Sequence, residues 1–406
     1  MKISRDKIYL DYAATTPIDK EVKKTMEQSG FGNPGSLHSF GQEALATVDE
    51  SREKIAKAIG ADFREIIFTG SATEANNLAL RGIIKNLKSQ ISNLKSLRII
   101  TSIIEHKSIL ETCRDLEKEG VEIIYLPVNK QGIVDLKKLE ESLNERTILV
   151  SIIYANNEIG IIQPLFEISK IIDNFKKRNF QKNPNYYPLF HTDAVQAFQF
   201  LNCNVNNLGI DLMTLSAHKI YGPKGIGILY ARAPYPKPYT LNPIITGGGH
   251  EFGLRSGTEN VPAISGFAKA IELADKNREK EFKRIAELSA YFWKELKKIY
   301  PKAEINNSND LKFMIYNLRK LPNILNIYFP NQNSQDLLMK LDLNGVAISA
   351  GSACSGRTAK TSHILKALGL PEKKIKSSLR FSFGKFTNKK EIDKSLRIIK
   401  MIFCHN

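Results

Sequence analysis

The chain has 406 residues, of which 42% are hydrophobic and 9% aromatic, enough to bury a large core over two or three domains of ordinary size. Its formal net charge of +17 is spread along Lys- and Asn-rich stretches such as 276–284 and 385–394, without an arginine and aromatic platform, which argues against direct nucleic-acid binding. The cysteines at 113, 203, 354 and 404 lie far apart, which argues against a disulfide framework or a structural metal site.

Targeting and membrane signals were sought next. No apolar run approaches the ~18 residues of a membrane span. The N-terminal residues MKISRDKIYLDYAATTP lack the charged, apolar and small regions of a leader. We therefore expect a cytoplasmic protein without membrane association.

Short apolar runs alternate with helical or loop sequence from about Arg64 to Tyr230. These runs are REIIFT, LRIITS, VEIIYL, TILVSII, PLFHTD, DLMTLS and GIGILY. This alternation predicts an α/β domain with a mostly parallel sheet between helices. After Arg255 the pattern changes to a helix over about 261–300 and the strand-like runs NILNIYF, VAIS and SLRFSFG, which indicates a smaller α+β domain. The predicted boundaries are 12–255 for the large domain, and 256–406 with 1–11 for the small one.

The segment SAHKIYGPKG places Lys219 in a turn after a strand, 26 positions beyond Asp193, which follows another strand. A lysine can form a Schiff base with pyridoxal phosphate, and a carboxylate can keep the pyridine nitrogen protonated. A single lysine is usually a solvated surface charge, and an aspartate after a strand is often a helix cap. The joint pattern, with Ser216, His218 and Gln196 beside these residues, favours a cofactor site.

The segment FTGSATEANNLAL follows a strand and opens a helix. Backbone amides and the hydroxyl of Thr73 at this helix start can bind a phosphate, with Ser216 and His218 as further donors. The alternative is an ordinary Ser/Thr cap with Glu74 in the first turn.

Two further strand ends carry polar residues. His106 follows LRIITS, at a position that faces the ligand crevice of an open α/β sheet, although a single histidine is more often structural. Asn157 and Glu158 in ANNEIG follow another strand, and either contact a ligand or stabilise a turn.

Cys354 lies in SAGSACSGR, a run of small residues that cannot pack around a buried thiol. Most single cysteines are buried and inert, but this segment predicts an exposed, mobile thiolate whose pKa is lowered by Arg357 and His363. Arg380, in SLRFSFG, can bind a substrate carboxylate with its bidentate fork, and a salt bridge is the alternative.

With these motifs, the chain resembles the cysteine desulfurases of the NifS/IscS type, in the fold-type I group of pyridoxal-phosphate enzymes. The resemblance runs nearly end to end through ordered blocks: YLDYAATTP, FGNPGS, FTGSATEANNLA, EHKSIL, NNEIG, HTDAVQA, SAHKIYGPKG, GGGHEFGLRSGTEN, PNILN, SAGSACS and SLRFSFGKFT.

The resemblance implies a role for each matching residue. Lys219 would form the Schiff base and act as catalytic base, Asp193 would pair with the pyridine nitrogen, Gln196 would bond the ring hydroxyl and His106 would stack on the ring and move protons. The remaining cofactor-binding residues would be Ala72, Thr73, Asn157, Ser216, Ala217, His218 and, from the neighbouring subunit of a homodimer, Thr258. Arg380 and Asn157 would bind the substrate, and Cys354 would be the catalytic thiol.

The reaction implied is removal of sulfur from L-cysteine, giving alanine and a persulfide on Cys354, which passes to an iron–sulfur scaffold or a tRNA-thiolation enzyme. Cys354 would also share in ligating a nascent cluster. The sequence departs from the family at Ala217, where glycine is frequent, and ends at 399-IKMIFCHN-406 without a C-terminal docking extension, so the acceptor stays open. The rivals are a selenocysteine lyase, an aminotransferase, and a non-catalytic sulfur-trafficking or nucleic-acid adaptor on the same fold.

Overall fold

A computed structural model describes residues 7–88, 97–179, 188–233, 241–307, 310–351 and 361–404. The strands are β1 (Ile8–Tyr9), β2 (Ile66–Thr69), β3 (Arg98–Ser102), β4 (Glu122–Leu126), β5 (Thr147–Ser151), β6 (Leu189–Asp193), β7 (Leu212–Ser216), β8 (Gly227–Ala231), β9 (Glu304–Ile305), β10 (Ile324–Tyr328), β11 (Val346–Ala347) and β12 (Ser378–Ser382). The helices are α1 (Lys20–Gln28), α2 (Ser39–Ile59), α3 (Ala72–Lys88), α4 (Lys107–Lys118), α5 (Leu136–Ser142), α6 (Leu165–Asn179), α7 (Val205–Leu208), α8 (Val261–Ile299), α9 (Leu311–Tyr316), α10 (Ser334–Leu343), α11 (His363–Ala367), α12 (Glu372–Ile375) and α13 (Lys389–Cys404).

Seven strands of the described chain form the main sheet, in the order β2-β8-β7-β6-β5-β3-β4. The pairs from β7 to β4 are parallel, whereas β8 runs antiparallel to both of its neighbours. Each predicted apolar run from REIIFT to GIGILY contains one of these strands. The predicted α/β class with a mostly parallel sheet is therefore confirmed.

The sheet is buried on both faces because successive strand residues point in opposite directions. In β3, Ile99 packs with one hydrophobic cluster, which includes residues of α3 and α4, and Ile100 packs with the other, which includes residues of α2, α6 and α8. Both side chains are fully buried. This two-sided burial explains why the strands read as continuous apolar runs rather than as alternating patterns.

The C-terminal part contains a second sheet, β12-β10-β9, whose pairs are antiparallel. The predicted run VAIS forms only the two-residue β11, which pairs in parallel with β1 instead of joining that sheet. The long helix α8 packs against α1 and α2. The domain division at residue 255 stays a prediction. In the described ranges no helix combines the length and apolarity needed to cross a bilayer.

Candidate active site

The candidate site is a cavity of about 540 Å³ at the carboxyl ends of the parallel strands. Polar side chains that follow β3, β5, β6 and β7 meet there because parallel strands end at the same edge of a sheet. The predicted residues that line it are Ala72, Thr73, His106, Asn157, Asp193, Gln196, Ser216, His218, Lys219 and Arg380. The tertiary structure thus brings together residues that lie up to 308 positions apart in the chain, from Ala72 to Arg380 (380 − 72).

Lys219 is held in the cavity by the N-terminal segment 13–16. Its Nζ donates to the carbonyl oxygens of Ala13 and Ala14, at 2.6 and 2.7 Å. The Gln196 amide nitrogen donates to the Ala13 carbonyl oxygen as well, at 2.9 Å. The backbone oxygen of His218 accepts from both the amide and the hydroxyl of Thr16, so the segment and the lysine turn are fixed to each other.

Asp193 is 5% exposed and ends β6. Its Oδ1 accepts from the backbone N–H of Val195 at 3.1 Å, and its Oδ2 accepts from the amide of Asn76 at 2.9 Å. Asn76 also donates to the hydroxyl of Ser108 at 2.8 Å. The predicted alternative, a helix cap, does not describe this carboxylate, because it faces a cavity that also contains a lysine amine.

The start of α3 lies beside the ends of β7 and β8. A Cβ placed on Gly227 would come within 2.8 Å of the backbone nitrogen of Ala72, so only glycine allows this approach. Ser71 makes the ordinary cap contact, accepting from the N–H of Glu74 at 3.1 Å. Ala72 and Thr73 line the cavity with Ser216. The predicted cap and the predicted anion-binding position therefore coexist, on different residues of one turn.

Glu74 lies in the first turn of α3, where its charge would repel an anion. Its Oε1 pairs with Arg255 at 2.8 Å, and its Oε2 accepts from the N–H of Gly70 at 2.8 Å. The guanidinium offsets the carboxylate charge, which leaves the positive end of the helix dipole free to attract an anion.

His218 contacts Thr15, with 3.1 Å between its Nδ1 and the threonine hydroxyl. Burial, assisted by the charges of Lys219 and Lys224, lowers the pKa of His218 to about 4. The imidazole is therefore neutral near pH 7 and can donate one hydrogen bond to an anion, but it contributes no charge.

Arg380 in β12 is 1% exposed and lines the same cavity. Its guanidinium donates to Asp11 Oδ1 at 2.7 Å and to the carbonyl oxygen of Asn157 at 2.8 Å. The salt bridge predicted as the alternative is therefore present, as a buried pair with Asp11. These contacts fix the plane of the guanidinium that faces the cavity.

The loop 156–160, which carries Asn157, is fixed by the C-terminal part of the chain. The carbonyl oxygen of Ile159 accepts from Lys320 and Asn307, and the carbonyl oxygen of Glu158 accepts from Asn326. Lys320 is fully buried, and this burial lowers its pKa to about 7. Lys320 thus reaches the loop as a largely uncharged donor above that pH.

Cys354 and Arg357 lie outside the described residues, but both flanks of their segment are described. The Ser362 hydroxyl donates to Glu158 Oε2 at 2.5 Å, and His363 Nε2 lies 3.1 Å from the carbonyl oxygen of Glu105. A Cβ built on Gly351 would lie 3.6 Å from the same Glu158 oxygen. Two loops of the cavity edge, those of Glu105 and Glu158, therefore contact the ends of the segment that carries Cys354.

Two predicted residues lie apart from the cavity lining. Ala217 is fully buried beneath the lysine turn, where a Cβ on Gly222 would come within 2.7 Å of its methyl group. Thr258 is exposed. Among the described residues no group of three or more His, Cys, Asp or Glu side chains is placed to bind a metal ion. The predicted shared ligation by Cys354 falls outside those residues.

Sequence reasoning assigned no role to Asn76, Ser108, Asp11 or the carbonyl groups of Ala13 and Ala14. The signal was present, because Asn76 and Asp11 belong to the blocks FTGSATEANNLA and YLDYAATTP. Their contacts depend on packing between distant segments, which spacing alone does not reveal.

The donor set fits pyridoxal phosphate. One cavity holds a lysine amine for an aldehyde, a buried carboxylate for a ring nitrogen, and hydroxyls beside a helix start for a phosphate.

Comparison with known proteins agrees with this geometry. The family model for aminotransferase class V matches residues 8–394, and the chain belongs to that family.

Its relatives place it within the family. The chain is 44% identical to a cysteine desulfurase IscS of Dictyoglomus turgidum, covering 97% of this chain and 94% of that protein. It is 42% identical to a mitosomal cysteine desulfurase of Encephalitozoon cuniculi, covering 95% and 84%. A solved NifS-like protein superposes with a TM-score of 0.86 at 35% identity, covering 98% of this chain and all of that one. The chain is accordingly a member of the cysteine desulfurase group, whose enzymes depend on pyridoxal phosphate.

Proposed function

We propose that this chain removes the sulfur of L-cysteine at the cavity described above, and that the Cys354 thiolate accepts it. The observation that carries the proposal is the convergence of Lys219, Asp193 and Arg380 on one cavity. An amine, a carboxylate and a guanidinium in this arrangement serve an α-amino acid whose Cα–H bond is to be broken.

Pyridoxal phosphate, when bound, supplies an aldehyde that captures the amino group and a ring that accepts electrons. Asp193 would hold a proton on the ring nitrogen, and Gln196 would bond the ring hydroxyl. Thr73, Ser216 and His218 would bind the phosphate together with the first amides of α3. These residues therefore orient the group, and they face it from different strands.

Lys219 is the base in this proposal: its Nζ takes the proton from the substrate Cα and returns a proton later in the cycle. The carbonyl groups of Ala13 and Ala14, which accept from Nζ, hold the amine in the cavity between these two transfers. Arg380 would bind the substrate carboxylate, with Asp11 and the Asn157 carbonyl keeping its fork in plane.

In the sulfur step, the Cys354 thiolate forms a bond to the substrate sulfur while the carbon–sulfur bond breaks. The electron pair of that bond stays with the carbon, which gains a proton, so that alanine leaves and Cys354 carries a persulfide. Burial raises the pKa of both the Cys113 and the Cys203 thiols to about 12, which makes them inert. Cys354 is thus the better candidate acceptor.

We also propose a homodimer in which Thr258 of each subunit reaches the phosphate of the other. Thr258 is exposed, and exposed apolar side chains occur near the N-terminus: Phe31 is 87% and Leu37 93% exposed, and the Phe31 ring lies 5.2 Å from that of Phe40. Apolar groups exposed in this way favour an interface. A sulfur acceptor, either an iron–sulfur scaffold or a tRNA-thiolation enzyme, completes the proposal.

The test measures alanine and sulfide from L-cysteine under anaerobic, reducing conditions, with Cys354→Ala as the comparison. Equimolar products that are lost in the variant support the proposal. If the cofactor-loaded enzyme forms no alanine, the assigned reaction is wrong, and selenocysteine and amino-group transfer become the next substrates to test.

A further inference from the structure

A continuous chain of side-chain hydrogen bonds joins Asp193 to His106. We infer that Asn76 and Ser108 are positioning residues that fix His106 in the tautomer with its proton on Nε2. The inference rests on the proposed role of His106 at the reacting centre, and it specifies which atom of the ring donates.

Asn76 starts the argument because the direction of its amide is determined by its neighbours. It is fully buried, and its Nδ2 lies 2.9 Å from Asp193 Oδ2 and 2.8 Å from Ser108 Oγ. Reversing the amide would place its oxygen against a carboxylate oxygen. Asn76 Oδ1 has no hydrogen-bond partner among the described residues, a cost that shows that the amide is oriented by its two donated bonds.

Ser108 passes the direction on. Its hydroxyl oxygen accepts from Asn76, and it lies 2.8 Å from Nδ1 of His106. The backbone N–H of Ser108 also points at this nitrogen, at 3.2 Å. A backbone amide can only donate, so Nδ1 must present its lone pair, and the serine hydroxyl completes the set by donating to the same nitrogen.

The ring proton of neutral His106 therefore resides on Nε2. His106 lines the cavity, and Nδ1 is occupied by Ser108, so Nε2 is the nitrogen left to face a ligand. His106 accordingly presents a donor to the reacting groups. It donates a hydrogen bond from Nε2 to the sulfur or thiolate of the sulfur step, and Lys219 remains the base.

The tautomer can be measured directly by NMR on the cofactor-loaded enzyme with ¹⁵N-labelled histidine, with His106 assigned by its absence in His106→Gln. We expect the Nε2 resonance in the protonated range, coupled to its hydrogen, and the Nδ1 resonance in the unprotonated range. A proton on Nδ1 would overturn the inference. This measurement needs no turnover, so a lack of alanine formation would refute the proposed function without touching the tautomer.

Variants then test the role of Ser108. In Ser108→Ala we expect a mixture of tautomers and a kcat for alanine formation lowered about 10-fold, with KM for L-cysteine changed less than about 2-fold. Ser108→Thr keeps a hydroxyl and should restore both the resonances and kcat.

Thr112→Val is the matched control, because Thr112 is a second buried hydroxyl one turn further along α4. It donates to the backbone oxygen of Ser108 at 2.8 Å but is not part of the chain to His106. We expect it to lower the melting temperature without altering the His106 resonances or kcat. Unchanged resonances and kcat in Ser108→Ala, or the same kcat loss in Thr112→Val, would overturn the role assigned to Ser108.

Discussion

The two ends of the cavity are built differently. At the ring end, comprising Asp193, His106, Asn76 and Ser108, the polar side chains bond one another in a continuous chain. At the phosphate end, comprising Ala72, Thr73, Ser216 and His218, the donors are a helix start, hydroxyls and a neutral imidazole. The ring end thus has orientation built into the protein, whereas the phosphate end offers donors to whatever anion it binds.

This difference teaches which property each end controls. Preorganised groups act on the chemical step, because they need no rearrangement when charge moves in the transition state. Donors that wait for a ligand act chiefly on affinity. Substitutions at the two ends should therefore affect different constants.

The largest effect is expected for Asp193→Asn at the ring end. The amide keeps the shape but loses the charge that holds a proton on the ring nitrogen, so kcat for alanine formation should fall by about 10²–10³-fold. Cofactor content, measured by absorbance, should stay near one per subunit. A variant with normal kcat would contradict the assignment of Asp193.

Arg380→Lys tests the residue between the two ends. A lysine cannot form the bidentate contact, so KM for L-cysteine should rise about 10- to 100-fold and more than kcat falls. Arg98→Lys is the control, because Arg98 forms a bidentate pair with Glu122 at the opposite edge of the sheet. An equal KM change in both variants would show a loss of structure rather than of substrate binding.

Ser216→Ala tests the phosphate end. Loss of one donor to a charged group should weaken cofactor binding about 10-fold, while kcat at saturating cofactor stays near that of the unsubstituted enzyme. Titration of the cofactor into the apoenzyme measures the affinity. If kcat falls and affinity does not, the contrast between the two ends is wrong.

The smallest effect concerns Glu105, next to His106. Burial raises its pKa to about 8 from the usual 4.5, so the folded state keeps a proton that the unfolded state releases between these values. The free energy of unfolding should therefore fall as pH rises from 4.5 to 8, by up to about 1.4 kcal/mol per pH unit from this group.

Urea unfolding of Glu105→Gln over this pH range checks the prediction. The variant should lose this part of the slope, whereas Glu53→Gln, on the exposed face of α2, should keep it. Parallel slopes for all three proteins would exclude Glu105 as the source.

Much of the site was predicted from the sequence because strand ends announce themselves. Asp193, Lys219 and His106 each follow an apolar run, and parallel strands deliver such residues to one edge. The contacts of Asn76 and of Asp11 could not be predicted, because each lies in a segment more than 100 positions from its partner.

The sequence by itself determined the order of strands and helices, the α/β class and the residue types of the site, since these follow from local hydrophobic periodicity and short motifs. Only the tertiary structure decided the position of β1 beside β11, the pairing of Arg380 with Asp11 and the direction of the bonds from Asn76 to His106. The physical reason is that a hydrogen bond or ion pair depends on distances of about 3 Å between side chains, which packing sets and local sequence does not.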